Sequence, residues 1–233
     1  MSLHDAWDQQ QARYIAGREE RFGALLSVVE WLAASSGTQR PLVVDLGAGP
    51  AAIGRRLLHR FPTARYVGVD IDPVLLQLGR EIADGVGPGR IEMVECDAAD
   101  PGWLRARGGV LLDADHLGYS SAPTLTGLAE WIVARDEEAA VAAGAPSWEQ
   151  WWERARNEPE LEAHCKRRDG LFGAPDAGGD VDGGAEGAEA EERPSLIGFT
   201  DIARSAGFSE VDTIWQRLDD RVVMAVKAGA LPR

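Results

Sequence analysis

Pro41-Leu42-Val43-Val44-Asp45-Leu46-Gly47-Ala48-Gly49-Pro50 is a short apolar run that ends in an acid and two glycines. An apolar run without polar alternation predicts a strand buried on both faces of a parallel sheet. Ala51 to Phe61 then predicts a helix, and Arg65 to Val69 a second strand with Asp70 at its end. Asp72 and Pro73 follow as an N-cap and a first-turn proline, so a second helix opens there. The resulting βαβα unit predicts an α/β class chain with a doubly wound, mostly parallel sheet. Such sheets bind ligands beyond the carboxyl ends of their strands, where the Gly47–Gly49 loop falls.

Working outward, residues 8–34 carry Ile15, Phe22, Leu25, Leu26, Val29 and Leu32 at helical spacing, predicting one amphipathic helix that stops near Gly37. Ile91–Cys96 reads as the third strand and Gly109–Ala114 as the next, with only residues 98–108 between Asp97 and that strand. A helix over about 124–143 closes at Gly144. Ser147 with Gln150 forms a capping box for a helix bearing Trp148, Trp151 and Trp152, and Pro159 restarts a helix that runs to Arg168. Ile197–Ala206 is a last helix, ended by Gly207. Val211–Gln216 and Arg221–Lys227 form an antiparallel hairpin around Leu218-Asp219-Asp220, which makes the sheet mixed. The expected organisation is one domain: an N-terminal helix (1–40), a core (41–119), a helical insert or cap (120–172), an acidic loop (173–194) and the C-terminal helix and hairpin (195–233).

The formal charge is 24 basic minus 38 acidic residues, or −14. Residues 174–192 hold seven of the acids (Asp176, Asp180, Asp182, Glu186, Glu189, Glu191, Glu192) with no Lys or Arg and little to bury, which predicts a disordered loop. An acidic chain without a basic patch argues against nucleic acid and for a small-molecule substrate. Cys96 and Cys165 show neither CxxC spacing nor a histidine cluster, so no metal site is expected and both thiols read as reduced. No window approaches the ~18 apolar residues of a membrane span, and the first residues lack a basic region followed by an apolar run. The expectation is a cytoplasmic protein with no membrane partner.

Val43-Val44-Asp45-Leu46-Gly47-Ala48-Gly49-Pro50 resembles the first motif of class I S-adenosylmethionine-dependent methyltransferases, and Tyr66-Val67-Gly68-Val69-Asp70-Ile71-Asp72-Pro73 resembles the second. The resemblance implies a Rossmann-like fold with S-adenosyl-L-methionine as cofactor. It assigns Asp45 to the methionyl ammonium, Gly47, Ala48 and Gly49 to close backbone approach, Asp70 to the ribose hydroxyls and Ile71 to the adenine face. Cys96-Asp97-Ala98 resembles the third element, with Asp97 accepting from the adenine amino group. Two carboxylate oxygens suit two vicinal hydroxyl donors, which is the physical reason for an acid at position 70.

The chain departs from the family in two ways. Ala51 replaces a third glycine common in the first motif, and six strands are counted where the family has seven. Arg107-Gly108-Gly109-Val110-Leu111-Leu112 resembles the turn into the family's strand five, which leaves out strand four, normally the neighbour of strand one. The other reading makes it strand four and omits strand five. Methyl transfer mainly requires alignment of the acceptor, and where the acceptor is a hydroxyl or acid a base helps. His116, past a strand's carboxyl end, is the candidate. Arg18 reads as a solvated helix residue, with pairing to the cofactor carboxylate as the alternative. The tryptophan face reads either as core or as part of a substrate cap. Two rival functions remain at this point: a non-catalytic relative, motivated by the missing strand, and a nicotinamide oxidoreductase, for which GxGxxG fails because Ala52 takes the third position.

Overall fold

The computed structural model describes residues 1–97, 110–173 and 195–229. The acidic-loop reading beyond Gly173, the 98–108 connection and Ala98 lie outside the described residues. The described residues form two compact units. One gathers Met1–Gln10 with the described residues of Gln39–Arg105 and Pro146–Gly187. The other gathers Gln11–Thr38 with those of Ala106–Ala145 and Ala188–Arg233.

The first unit contains β1 (Leu42–Leu46), β2 (Arg65–Asp70) and β3 (Ile91–Glu95), all parallel in the order β1-β2-β3. Asp45 pairs with Gly68 and Asp70 with Glu95, so the acids that end β1 and β2 share the carboxyl edge of this sheet. Helices α3 (Ala52–Arg60), α4 (Pro73–Glu81) and α5 (Ala83–Val86) alternate with these strands, and the unit also holds α7 (Trp148–Arg156), α8 (Glu162–Phe172) and, up to Gln10, α1 (Leu3–Tyr14). Asp72 caps α4 by accepting from Val74 N at 2.9 Å and Leu75 N at 3.3 Å, as its sequence position predicts. Ser147 and Gln150 close the capping box of α7.

The inner face of the sheet is packed at glycines. A Cβ at Gly54 of α3 would lie 2.6 Å from the Tyr66 ring, and Cβ atoms at Gly68 and Gly79 would lie 2.8 and 2.6 Å from the Met93 side chain. Helices α3 and α4 therefore settle directly on β2 and β3. The opposite face of β1 is different: Leu42 is 58% and Val44 53% exposed, so the expectation of a strand buried on both faces is corrected. The apolar run reflects β propensity there, without cover from the helices that pack on Tyr66 and Met93.

Trp151 (1% exposed) and Trp152 (5%) sit in a core cluster with Ala6, Trp7, Val74, Leu75 and Leu78. Trp7 meets Trp151 edge-on with centroids 4.8 Å apart, and a Cβ at Gly49 would touch Trp7 at 3.7 Å. The tryptophan face thus supports the turn after β1 from beneath. Helix α8 adds Arg168, buried with its guanidinium 3.8 Å from the Trp152 ring centroid and its Nε donating to Asp72 Oδ2 at 2.7 Å.

The second unit contains α2 (Arg18–Ser36), β4 (Val110–His116), α6 (Pro123–Ala142), α9 (Leu196–Ser205), β5 (Phe208–Arg217) and β6 (Asp220–Lys227). Its sheet is antiparallel in the order β4-β6-β5. The single mixed sheet expected from sequence is therefore two three-stranded sheets, one parallel and one antiparallel. Among the described residues β1 has a hydrogen-bonded strand on one side only, and the bare side is where the resemblance places strand four. The single N-terminal helix is also corrected: it breaks between α1 and α2 at Gly17 (φ 84°), where a Cβ would press against Arg217 Cδ at 3.0 Å. Arg21 of α2 is buried and donates to Asp220 Oδ1 at 2.9 Å.

Two stability outcomes follow from these contacts. Gly54→Ala, although it raises helix propensity, forces a methyl against the Tyr66 ring and should cost about 1–3 kcal/mol in urea unfolding. Arg168→Ala leaves the Asp72 carboxylate buried without its cation and should cost about 3 kcal/mol or more by the same measurement.

Candidate functional site

The turn after β1 exists because three consecutive backbone requirements meet there. Gly47 (φ 69°), Gly49 (φ 53°) and Ala51 (φ 57°) all occupy the left-handed region. Glycine adopts it freely, whereas Ala51 holds it at a cost of roughly 1–2 kcal/mol. Ala51 is fully buried, and its carbonyl accepts from Arg55 N at 2.9 Å as α3 begins. The alanine in place of the third glycine is thus tolerated by the backbone. Ala48 N donates to Val69 O at 3.0 Å, carrying the β1–β2 ladder into the turn.

Asp70 fixes the turn from the neighbouring strand. Its Oδ2 accepts from Gly49 N at 2.7 Å and its Oδ1 from Asp72 N at 2.9 Å. Each oxygen keeps a lone pair for a second donor. Among the described residues a Cβ at Gly47 would find nothing within 4 Å, so these residues leave the space beside it open. Ile71 follows, 38% exposed, next to the carboxylate. Asp97 lies just past β3, exposed, on the same edge of the same unit.

Asp45 accepts a hydrogen bond from the Tyr66 hydroxyl at 2.6 Å. Burial, with the charge of Asp70 adding to it and the Tyr66 hydrogen bond opposing it, raises the Asp45 carboxyl to about 6. Burial and the same two carboxylates push the Tyr66 phenol well above its ordinary value. The buried Asp45 carboxyl, with the charge of Asp70 beside it, favours a cationic ligand. A sulfonium with an ammonium fits that field. A pyrophosphate, which a dinucleotide would bring to such a turn, meets repulsion from Asp45.

The structure thus brings together Asp45, Gly47, Ala48, Gly49, Asp70, Ile71 and Asp97 on one edge of the first unit. His116 is the last residue of β4 and belongs to the second unit. Its Nδ1 lies 3.7 Å from Asp219 Oδ1, and hydrogen bonding to Asp219 raises the imidazole pKa. Arg18, read as solvated, is buried at 6% exposure with its guanidinium over the Phe22 ring at 4.6 Å, which corrects that reading. The residue that sequence reasoning passed over is Tyr66. Its sequence signal is a phenol two residues before a glycine in the strand Arg65–Asp70.

Comparison with known proteins agrees with this geometry. Residues 43–130 match the family described as Methyltransferase domain. The trans-aconitate 2-methyltransferase of Streptomyces coelicolor is 35% identical over 94 residues, which is 40% of this chain and 30% of that protein. The release factor glutamine methyltransferase of Chlorobaculum tepidum is 32% identical over 128 residues, 54% of this chain and 42% of that one. The chain therefore spans less than half the length of these curated relatives. The CurJ carbon methyltransferase structure superposes with a TM-score of 0.55 at 11% identity, covering 95% of this chain and 58% of that one, and shows the shared fold. The glycine turn and the Asp45 and Asp70 carboxylates thus lie within the segment that matches the methyltransferase-domain family, and the chain shares its fold with a solved methyltransferase.

Proposed function

We propose that the protein transfers a methyl group from S-adenosylmethionine to a small-molecule acceptor. The observation that carries this reading is the pairing of an open glycine turn with the Asp45 and Asp70 carboxylates on one sheet edge. The cofactor supplies an activated methyl and its own leaving group, so the protein's task is binding, orientation and exclusion of water.

In this reading Asp70, already held rigid by two backbone amides, accepts from the ribose hydroxyls with its remaining lone pairs. Asp45 receives the methionyl ammonium, Ile71 lies against the adenine and Asp97 accepts from the adenine amino group. Gly47 lets the methionyl arm approach the backbone. Two of the matched relatives carry names for acceptors with carbonyl chemistry, a tricarboxylic acid and a protein glutamine, and small acids are therefore the first acceptors to screen.

The test is calorimetry with S-adenosylhomocysteine, which carries the same ammonium, ribose and adenine. The purified protein should bind it, and Asp70→Ala should weaken binding about tenfold or more, ~1.4 kcal/mol. Gly47→Ala separates binding from folding: its methyl enters open space, so it should cost only about 1 kcal/mol of stability for the backbone while reducing affinity at least as much as Asp70→Ala. Absence of detectable binding by the unaltered chain would overturn the proposal.

A further inference from the structure

The geometry points to Tyr66 as the positioning residue for Asp45: its hydroxyl holds one carboxylate oxygen and leaves the other directed to the cofactor's ammonium. This rests on the reading above, in which Asp45 receives that ammonium.

Three observations support it. Tyr66 is 1% exposed, the second residue of β2, paired in register with Val43 two residues before Asp45. A phenol buried among apolar groups must find a hydrogen-bond partner, and here it donates to Asp45 Oδ2 at 2.6 Å. Second, α3 carries Gly54 where the Tyr66 ring passes, although glycine costs a helix interior about 1 kcal/mol relative to alanine. The helix gives up that propensity so that the ring can lie against its backbone, which fixes the hydroxyl as well as the ring. Third, among the described residues Oδ2 is the Asp45 oxygen that has a hydrogen-bond partner. A carboxylate tethered at one oxygen has its plane set, and its free lone pairs face a defined direction.

The hydrogen bond also favours the ionised form that an ammonium requires. Burial and the Asp70 charge both resist ionisation of Asp45, and Tyr66 opposes them. Asp45 faces Tyr66 and Asp70 from β2. Arg55 and Arg56 of α3 pair with Asp8 of α1. Tyr66 is therefore the group on these elements that eases the negative charge before a ligand arrives.

Tyr66→Phe keeps the ring and its packing on Gly54 and removes only the donor. S-adenosylhomocysteine affinity should fall about tenfold at about pH 6.5, and less at about pH 8, where the carboxyl ionises without help. Carbon-13 carboxyl NMR of the ligand-free protein should show the Asp45 titration midpoint moving upward from about 6 in Tyr66→Phe. In an Asp45→Ala background the same substitution should change affinity by less than about twofold. Equal losses in both backgrounds, a loss independent of pH, or an unmoved Asp45 midpoint would each overturn the role. If the unaltered chain does not bind S-adenosylhomocysteine, the functional reading falls. The Asp45 midpoint then still decides whether Tyr66 governs that carboxyl.

Discussion

The hydrogen bond from Gly49 N to Asp70 Oδ2 is the constraint on which the candidate site depends. It crosses from the turn after β1 to the end of β2, and so fixes a loop with three left-handed residues against a strand that the sheet already holds in register. The same carboxylate takes Asp72 N, and Asp72 in turn caps α4 and pairs with buried Arg168. One acid therefore links the cofactor turn to a helix start and, through Arg168, to the insert. A charge used in this way is stabilised by backbone donors before any ligand is present, which is the condition for binding hydroxyls without reorganisation.

Close approach at glycines gives this edge its geometry. Gly54 admits the Tyr66 ring, and Gly68 and Gly79 admit Met93, so two helices sit nearer the sheet than side chains would allow. From below, Trp7 supports Gly49 and is itself packed edge-on against Trp151. The insert's tryptophans act on the turn through packing. Their large buried area holds the first unit's N-terminal helix and its insert together around α4.

What was legible in the sequence was local. Asp72-Pro73, the Ser147–Gln150 box and the six strands carry their signals within a few residues, and their bounds in the structure differ by at most three residues from the sequence reading. The break at Gly17 was hidden because apolar spacing continues through it, while the cause is a distant contact with Arg217. The exposure of Leu42 and Val44 was hidden too, because an apolar run reports strand propensity and says nothing of what covers each face. The separation into two sheets depends on which strand lies beside β1, a fact of topology. Asp45, Asp70 and the glycines were legible as a motif, whereas Tyr66 was not, since a tyrosine in a strand ordinarily reports only β propensity.

The electrostatics of the turn carry a further consequence for the fold. The folded chain raises the Asp45 carboxyl from 3.8 to about 6, so between those values it binds more protons than the unfolded chain does. Stability therefore falls as pH rises through that window and levels off once pH has passed well through the folded value. A residue that only served the fold would be better replaced by a neutral isostere such as asparagine, which would keep the Tyr66 hydrogen bond. An ionised Asp45 is destabilising in this setting, and in the proposed function the ligand's ammonium is what offsets the cost of its charge. Asp70 contributes to that cost, and a positively charged ligand relieves the charge of the two carboxylates where a phosphate-bearing one adds to it.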